Sequence, residues 1–425
     1  MPRQSHPRAE RAALVGLVTG GLRRVDAERS LEELAGLASA AGAEVALRVL
    51  QEKARPDAST FLGSGKLATL AAAVSEAEVD LVVFDNELTP AQLRNLESRI
   101  ERKVLDRTQL ILDIFARRAR TREGRLQVEL AQLRYLLPRL VGAGLAMSRL
   151  GGGIGTRGPG ETKLETDRRR IRQRIASISA EIENVRDRRA NLRDRRRKAS
   201  VPLVTLVGYT NAGKTTLFNL MAREAAPVSN ALFVTLDPLV RRVHLPDRRE
   251  LLVSDTVGFI DRLPHTLVAA FRATLEEVSG ADLLLHVIDA GVPDRDRRIE
   301  AVRRVLEEVG AADVPQVEVF NKCDTIGDAE RRRLQQQDPA RVVMSALTGE
   351  GLDDLLEIVA ARTALDTRRL VVELSANEEC DLQRVAFLYR HARVISHTAG
   401  NGRITLEADV PRKLLDRFTG GVRAG

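Results

Sequence analysis

Residues Gly208-Tyr209-Thr210-Asn211-Ala212-Gly213-Lys214-Thr215, followed by Thr216, place two glycines, a lysine and a hydroxyl at the spacing that grips a polyphosphate. The glycines let backbone N–H groups wrap the phosphates, Lys214 reaches the outer two, and the Thr215 hydroxyl can ligate a magnesium ion. The chain contains only 8 lysines among its 67 cationic residues, so a lysine at this position is informative.

Three later signals follow in order. Asp255-Thr256-Val257-Gly258 closes an apolar run, where the carboxylate can hold the magnesium through water and the Gly258 N–H can meet a third phosphate. Asn321-Lys322-Cys323-Asp324 ends another apolar run and decides the base. Guanine offers a ring N–H and an amino group to one carboxylate, whereas adenine presents an unprotonated nitrogen there, so Asp324 selects guanine. Lys322 can lie over the base, Asn321 can brace the loop, and Ser345-Ala346-Leu347 can give a backbone N–H to the guanine oxygen. Together these residues indicate a GTP hydrolase, with Lys214 and Gly258 at the reacting phosphate and GTP and GDP as its ligands.

Weaker signals point to structure. Gly63-Ser64-Gly65-Lys66 has half a phosphate loop without its spacing, and reads as a helix start; a second nucleotide site in this region stays open. His391 and His397 lack neighbouring carboxylates or thiols and read as surface residues. Cys323 fits the base loop by size and is no candidate nucleophile.

Around these residues, the 425-residue chain has room for about three domains. Strand runs begin near Ala12, Glu44 and Val79, each followed by a helical pattern, which predicts a parallel α/β layer over residues 1–115. Ser30 with Glu33 reads as a capping box, and Thr89 before Pro90 as another helix start. Leu126, Leu130, Leu133, Leu137 and Leu140 form one apolar stripe; Leu164, Ile171, Ile175, Ile178, Ile182, Val185 and Leu192 form a second, with Thr162 and Glu165 as its capping box. Eight glycines within 141–160 interrupt them, so residues 116–199 are expected to form an antiparallel helical hairpin with a glycine-rich tip. Buried-strand runs at 201–207, 251–254, 283–288 and 317–320 place the phosphate-binding residues in an α/β domain over 200–364. A small α+β domain follows over 365–425, read as strand, helix, strand, strand, helix, with Gly400-Asn401-Gly402 as a hairpin turn.

Charge is uneven. Residues 116–200 hold 23 Lys and Arg against 9 Asp and Glu, a net +14 in a chain whose total is +8, so the remainder is acidic. A basic arm on an acidic body suits contact with a polyanion, through counterion release. With 44% apolar and 30% charged residues, disorder throughout is excluded. No run is long enough for a membrane span, and two cysteines, Cys323 and Cys380, offer no disulfide framework. A cytoplasmic monomer without membrane partners is the expectation.

The passage GGGIGTRGPGETKLETDRR from Gly151 to Arg169, with FVTLDP over Phe233–Pro238 and DTVGFI over Asp255–Ile260, resembles the HflX family of ribosome-associated GTPases. The resemblance is strong over about residues 60–350 and weaker at both ends. It implies a P-loop GTPase domain preceded by an α/β domain with a long helical hairpin, and a protein that binds the large ribosomal subunit to split or rescue stalled ribosomes under stress. By the same resemblance the hairpin lies on ribosomal RNA near the peptidyl-transferase region, with Arg149, Arg157, Lys163, Arg168, Arg169 and Arg170 as contacts. Phe233, Val234 and Thr235 would join the nucleotide site, Thr235 serving both the third phosphate and Mg2+ alongside Thr215 and Asp255. Thr215 stands where serine is commoner, and Val234 and Leu239 where smaller or polar residues are usual.

Phe259 occupies the position after Gly258 where small signalling GTPases have a water-orienting glutamine. A phenyl ring cannot orient water, so slow intrinsic hydrolysis, completed by a partner, is expected. Two other readings remain: a GTPase of RNA modification or ribosome maturation, and a protein-binding switch whose hairpin is a coiled-coil docking arm.

Overall fold

The computed structural model describes residues 8–21, 23–140, 159–199, 201–223, 232–233, 239–246, 249–261, 278–338, 341–363, 367–400 and 402–411. The chain forms two units: Met1–Asn184 with Asn230–Leu236 and Pro264–Phe271, and Val185–Ser229 with Asp237–Leu263 and Arg272–Gly425.

In the first unit, β1 (Arg11–Val18), β2 (Glu44–Glu52), β3 (Leu81–Phe84) and β4 (Lys103–Asp106) make a parallel sheet of order β2-β1-β3-β4. The central strands are apolar on both faces because helices cover both sides. These are α1 (Arg24–Ala40), α2 (Ser64–Glu76), α3 (Pro90–Ile100) and α4 (Arg107–Arg118). The α3 start is as expected: Thr89 and Gln92 form a reciprocal cap ahead of Pro90. Ser30 is a correction. It lies inside α1, which begins at Arg24, and its hydroxyl donates to Asp85 across 2.6 Å. A buried acceptor from another strand claims the side chain that local spacing assigned to a cap. Asp85 and Glu33 also take the Arg107 guanidinium, a buried cation balanced by two carboxylates.

The hairpin pairs α5 (Arg122–Arg139) with α6 (Pro159–Ala199). Ile175, Ile178 and Ile182 pack on Leu126, Leu130 and Leu133. Ion pairs Arg174–Glu129 and Arg122–Glu181 run in opposite directions along the two helices and establish the antiparallel register. The start of α6 is a second correction: Pro159 precedes Thr162, which is therefore helical and not a cap. At 41 residues, α6 extends about 60 Å. The tip, 141–158, lies outside the described residues.

The second unit holds β5 (Leu203–Val207), α7 (Lys214–Ala222), β6 (Leu239–His244), β7 (Glu250–Asp255), β8 (Leu283–Asp289), α8 (Arg295–Glu308), β9 (Gln316–Asn321), α9 (Asp328–Gln337), β10 (Val342–Val343) and α10 (Leu352–Thr363). The sheet order is β10-β9-β8-β5-β7-β6, parallel except for the edge strand β6. All five residues of β5 are buried at its centre. Its carboxyl end faces the crevice where open α/β sheets bind ligands. Beyond α10, β11 (Thr367–Ser375), α11 (Glu379–His391), β12 (Arg393–Gly400) and β13 (Arg403–Pro411) form an antiparallel sheet of order β11-β13-β12 with a helix on one face. The expected final helix lies outside the described residues.

Candidate active site

The phosphate loop leaves β5 through Gly208 at φ +151° and enters α7 through Gly213 at φ +94°. Both conformations exclude side chains sterically: an added Cβ would lie 2.2 Å from the Val287 carbonyl oxygen at the first and 2.2 Å from Asn321 Nδ2 at the second. Asn211, at φ +60°, takes the third left-handed position, which asparagine tolerates. The loop therefore turns its backbone N–H groups toward the α7 N-terminus, a site suited to an anion.

Lys214 is buried, and its ammonium donates to the Gly208 and Tyr209 carbonyls at 3.0 and 2.9 Å. Burial lowers its pKa to about 8 against the opposing pull of Asp255. A cation so poorly hydrated gains much from an incoming phosphate. The half-buried Thr215 donates its hydroxyl to Asp255 Oδ2 at 2.8 Å. These two hard oxygens at the loop's end are the donor type magnesium takes, and they fit such an ion. Thr256 is buried, its hydroxyl donating to the Leu206 carbonyl at 2.6 Å, which ties the β7 exit to β5.

At the base end, Asn321 joins both halves of the site. Its Nδ2 donates to the Ala212 carbonyl at 2.8 Å, and its Oδ1 accepts from the Ala346 N–H at 2.8 Å. Ser345 and Ala346 are buried while Leu347 is 79% exposed at the rim. Asp324 is exposed, available to a base. Lys322 forms an ion pair with Asp289 at 2.7 Å, fixing its alkyl stem. Asp289 escaped the sequence reading, although its place at the carboxyl end of β8 was the signal that could have found it. Cys323 is buried, its N–H bonded to the Met344 carbonyl at 3.0 Å; burial beside Glu350 pushes its thiol pKa up, so the thiolate is disfavoured.

The structure thus brings together residues 208–216, 255–258, 321–324 and 345–347. Phe233 has its ring edge-on to Phe115, centroids 4.7 Å apart, so that side chain is packed in an apolar seat of the first unit. Val234, Thr235, Arg149 and Arg157 lie outside the described residues, as does the side chain of Lys163. Arg169 and Arg170 are exposed on α6 and Arg168 is half-buried. Gly63 stands immediately before α2, its N–H bonded to Gln51 Oε1 at 3.1 Å, as expected of a helix start. His397 Nδ1 meets the Tyr389 hydroxyl at 2.6 Å, and the His391 ring lies against Phe387. No cluster of metal-ligating side chains occurs among the described residues. No described helix is long and apolar enough to cross a membrane.

A phosphate loop on a central parallel strand, a magnesium-type oxygen pair and a guanine-selective loop define a P-loop GTPase. Family models match three stretches: GTP-binding GTPase N-terminal over 28–116, GTP-binding GTPase Middle Region over 118–196, and 50S ribosome-binding GTPase over 203–322. GTPase HflX of Caldanaerobacter subterraneus subsp. tengcongensis is 45% identical over 96% of this chain and 93% of its own length. GTPase HflX of Lacrimispora saccharolytica is 43% identical over 96% and 95%, and that of Escherichia coli 48% identical over 82% of each chain. The chain belongs to the HflX family of GTPases, and its reaction is the hydrolysis of GTP.

Proposed function

We propose that this GTPase binds the large ribosomal subunit through its basic hairpin, uses Mg2+ held by Thr215, Thr235 and, through water, Asp255, and splits or rescues stalled ribosomes under stress. The observation that carries the reading is the arm: a 41-residue helix in a segment of net charge +14, with Arg169 and Arg170 exposed. The middle of the stripe a docking coiled coil would need is already in use, because Ile175, Ile178 and Ile182 pack against α5. That favours RNA over a helical protein partner. The family model over 203–322, described as a 50S ribosome-binding GTPase, supports the same partner.

In this mechanism magnesium, when bound, neutralises phosphate charge as the terminal group departs. Lys214 binds the outer phosphates, the loop N–H groups hold the inner ones, and Asp324 selects the base. Phe259 supplies no water-positioning group, so the large subunit completes the site and turnover rises steeply when it binds.

Cosedimentation with purified subunits in GTP, GDP and a slowly hydrolysed analogue tests the reading, and light scattering of intact ribosomes tests splitting. Neutralising Arg168, Arg169 and Arg170 together lowers affinity for the large subunit and reduces the salt slope by up to about 0.9 per lost phosphate contact, taking the duplex-DNA coefficient as guide. GTP binding by the isolated protein stays unchanged. Equal affinity and equal salt slope would overturn the RNA role of the arm.

A further inference from the structure

The segment after Asp255 lies flush on the phosphate loop. Thr210 N–H donates to the Phe259 carbonyl at 2.7 Å and Phe259 N–H to the Gly208 carbonyl at 3.1 Å, a β-bridge, and Phe259 is 2% exposed. Two residues on, the Asp261 N–H donates to the Tyr209 hydroxyl at 2.9 Å. Both partners in this last bond are held from outside. Arg297 grips the Asp261 carboxylate at 2.5 Å, and Arg298, itself fixed by Asp294 at 3.0 Å, lies over the Tyr209 ring 4.9 Å from its centroid.

The contact is tight enough to matter to the nucleotide. A Cβ on Gly258 would fall 2.8 Å from Thr210 Cα and 3.1 Å from the Lys214 ammonium. A third phosphate has to reach that ammonium and the Gly258 N–H together, so the segment must lift to admit it. Lifting breaks the bridge and the Tyr209 bond. The two bonds of the bridge are backbone to backbone and do not need a particular side chain at 259. The Tyr209 bond, by contrast, depends on a side chain.

We propose that Tyr209 is a positioning residue of the GTPase cycle: its hydroxyl latches Asp261, holds residues 258–261 down on the phosphate loop, and thereby sets how well the site discriminates guanosine triphosphate from diphosphate. The latch favours the diphosphate, and the γ-phosphate works against it. This rests on the GTPase assignment alone and not on the ribosomal partner.

Tyr209→Phe keeps the ring and the Arg298 contact and deletes the acceptor. The measurement is the full-length protein's affinity for GDP and for a slowly hydrolysed GTP analogue, by titration calorimetry. The expected result is a rise of about fivefold in the analogue-to-GDP affinity ratio, the size of one ordinary hydrogen bond. Arg297→Met, which removes the Arg297 hold on Asp261 without touching the loop, shifts the ratio the same way, and the double variant adds little, as residues of one network do. An unchanged ratio, an equal loss of both affinities, or a shift toward GDP would overturn the proposal; an equal loss is what a merely structural tyrosine produces.

Discussion

The Thr215 hydroxyl and the Asp255 carboxylate meet at 2.8 Å, joining the start of α7 to the end of β7. Each group of the proposed magnesium site is therefore held in place by the other. Thr215→Ala is expected to raise the magnesium concentration required for half-maximal turnover by about tenfold or more, whereas Thr215→Ser, keeping the oxygen, stays near the parent. Lys214→Ala is expected to abolish turnover at any magnesium level. A magnesium titration of steady-state GTP hydrolysis distinguishes the three, and full activity in the alanine variants would move the site elsewhere.

Asp324 stands exposed at the mouth of the base site, one residue beyond the buried Cys323. Asp324→Asn turns an amide donor toward guanine donors and should weaken GDP binding by about 1 to 3 kcal/mol without restoring ATP. Competition of ATP against labelled GDP reads this directly. If the parent binds both nucleotides equally, the base assignment is wrong.

Phe259 is buried where small signalling GTPases have a water-orienting glutamine. It is 2% exposed, and its backbone bridges to Tyr209 of the phosphate loop. Burial of a phenyl ring outweighs exposure at the site mouth by roughly 2 kcal/mol. Phe259→Gln should leave basal hydrolysis within about threefold of the parent, because the amide would have to leave a buried position to orient water, and should lower the melting temperature by several degrees. A basal rate that climbed by about a hundredfold would show that a missing glutamine is the sole defect.

His286 lies buried within β8, and burial, helped by Arg303 and Lys214, lowers its pKa to about 3. Its folded pKa is below the unfolded value, so the folded chain keeps it neutral while the unfolded chain takes a proton below about pH 6.5. The contribution is fully present above that pH and is lost as pH falls toward 3, amounting to roughly 2 kcal/mol of lost stability at pH 5. Denaturant unfolding at pH 7.5 and pH 5 should show this difference, and His286→Gln should shrink it by about that amount. An equal pH effect in both proteins would assign the acid sensitivity to other groups.

What the chain disclosed by inspection was whatever is contiguous. Gly208 to Thr215 act as one loop, and their spacing alone states their chemistry; the strand before them and helix after them follow from periodicity. The hairpin was legible for the same reason, since the stripes containing Leu126, Leu130 and Ile178 repeat at helical intervals. Side chains whose partners lie far away were opaque. Ser30 looks like a cap until Asp85 arrives from just past β3, 55 residues on. Asp289 gives no hint that it will hold Lys322, and Tyr209 none that it will hold Asp261. Such pairs are created by the sheet order, which local spacing does not encode.

The amide of Asn321 reaches the Ala212 carbonyl of one loop and the Ala346 N–H of another. Its consequence is mechanical. The loop assigned to the purine and the loop assigned to the phosphates share a single crosspiece. Whatever disturbs Asn321 therefore disturbs both loops at once.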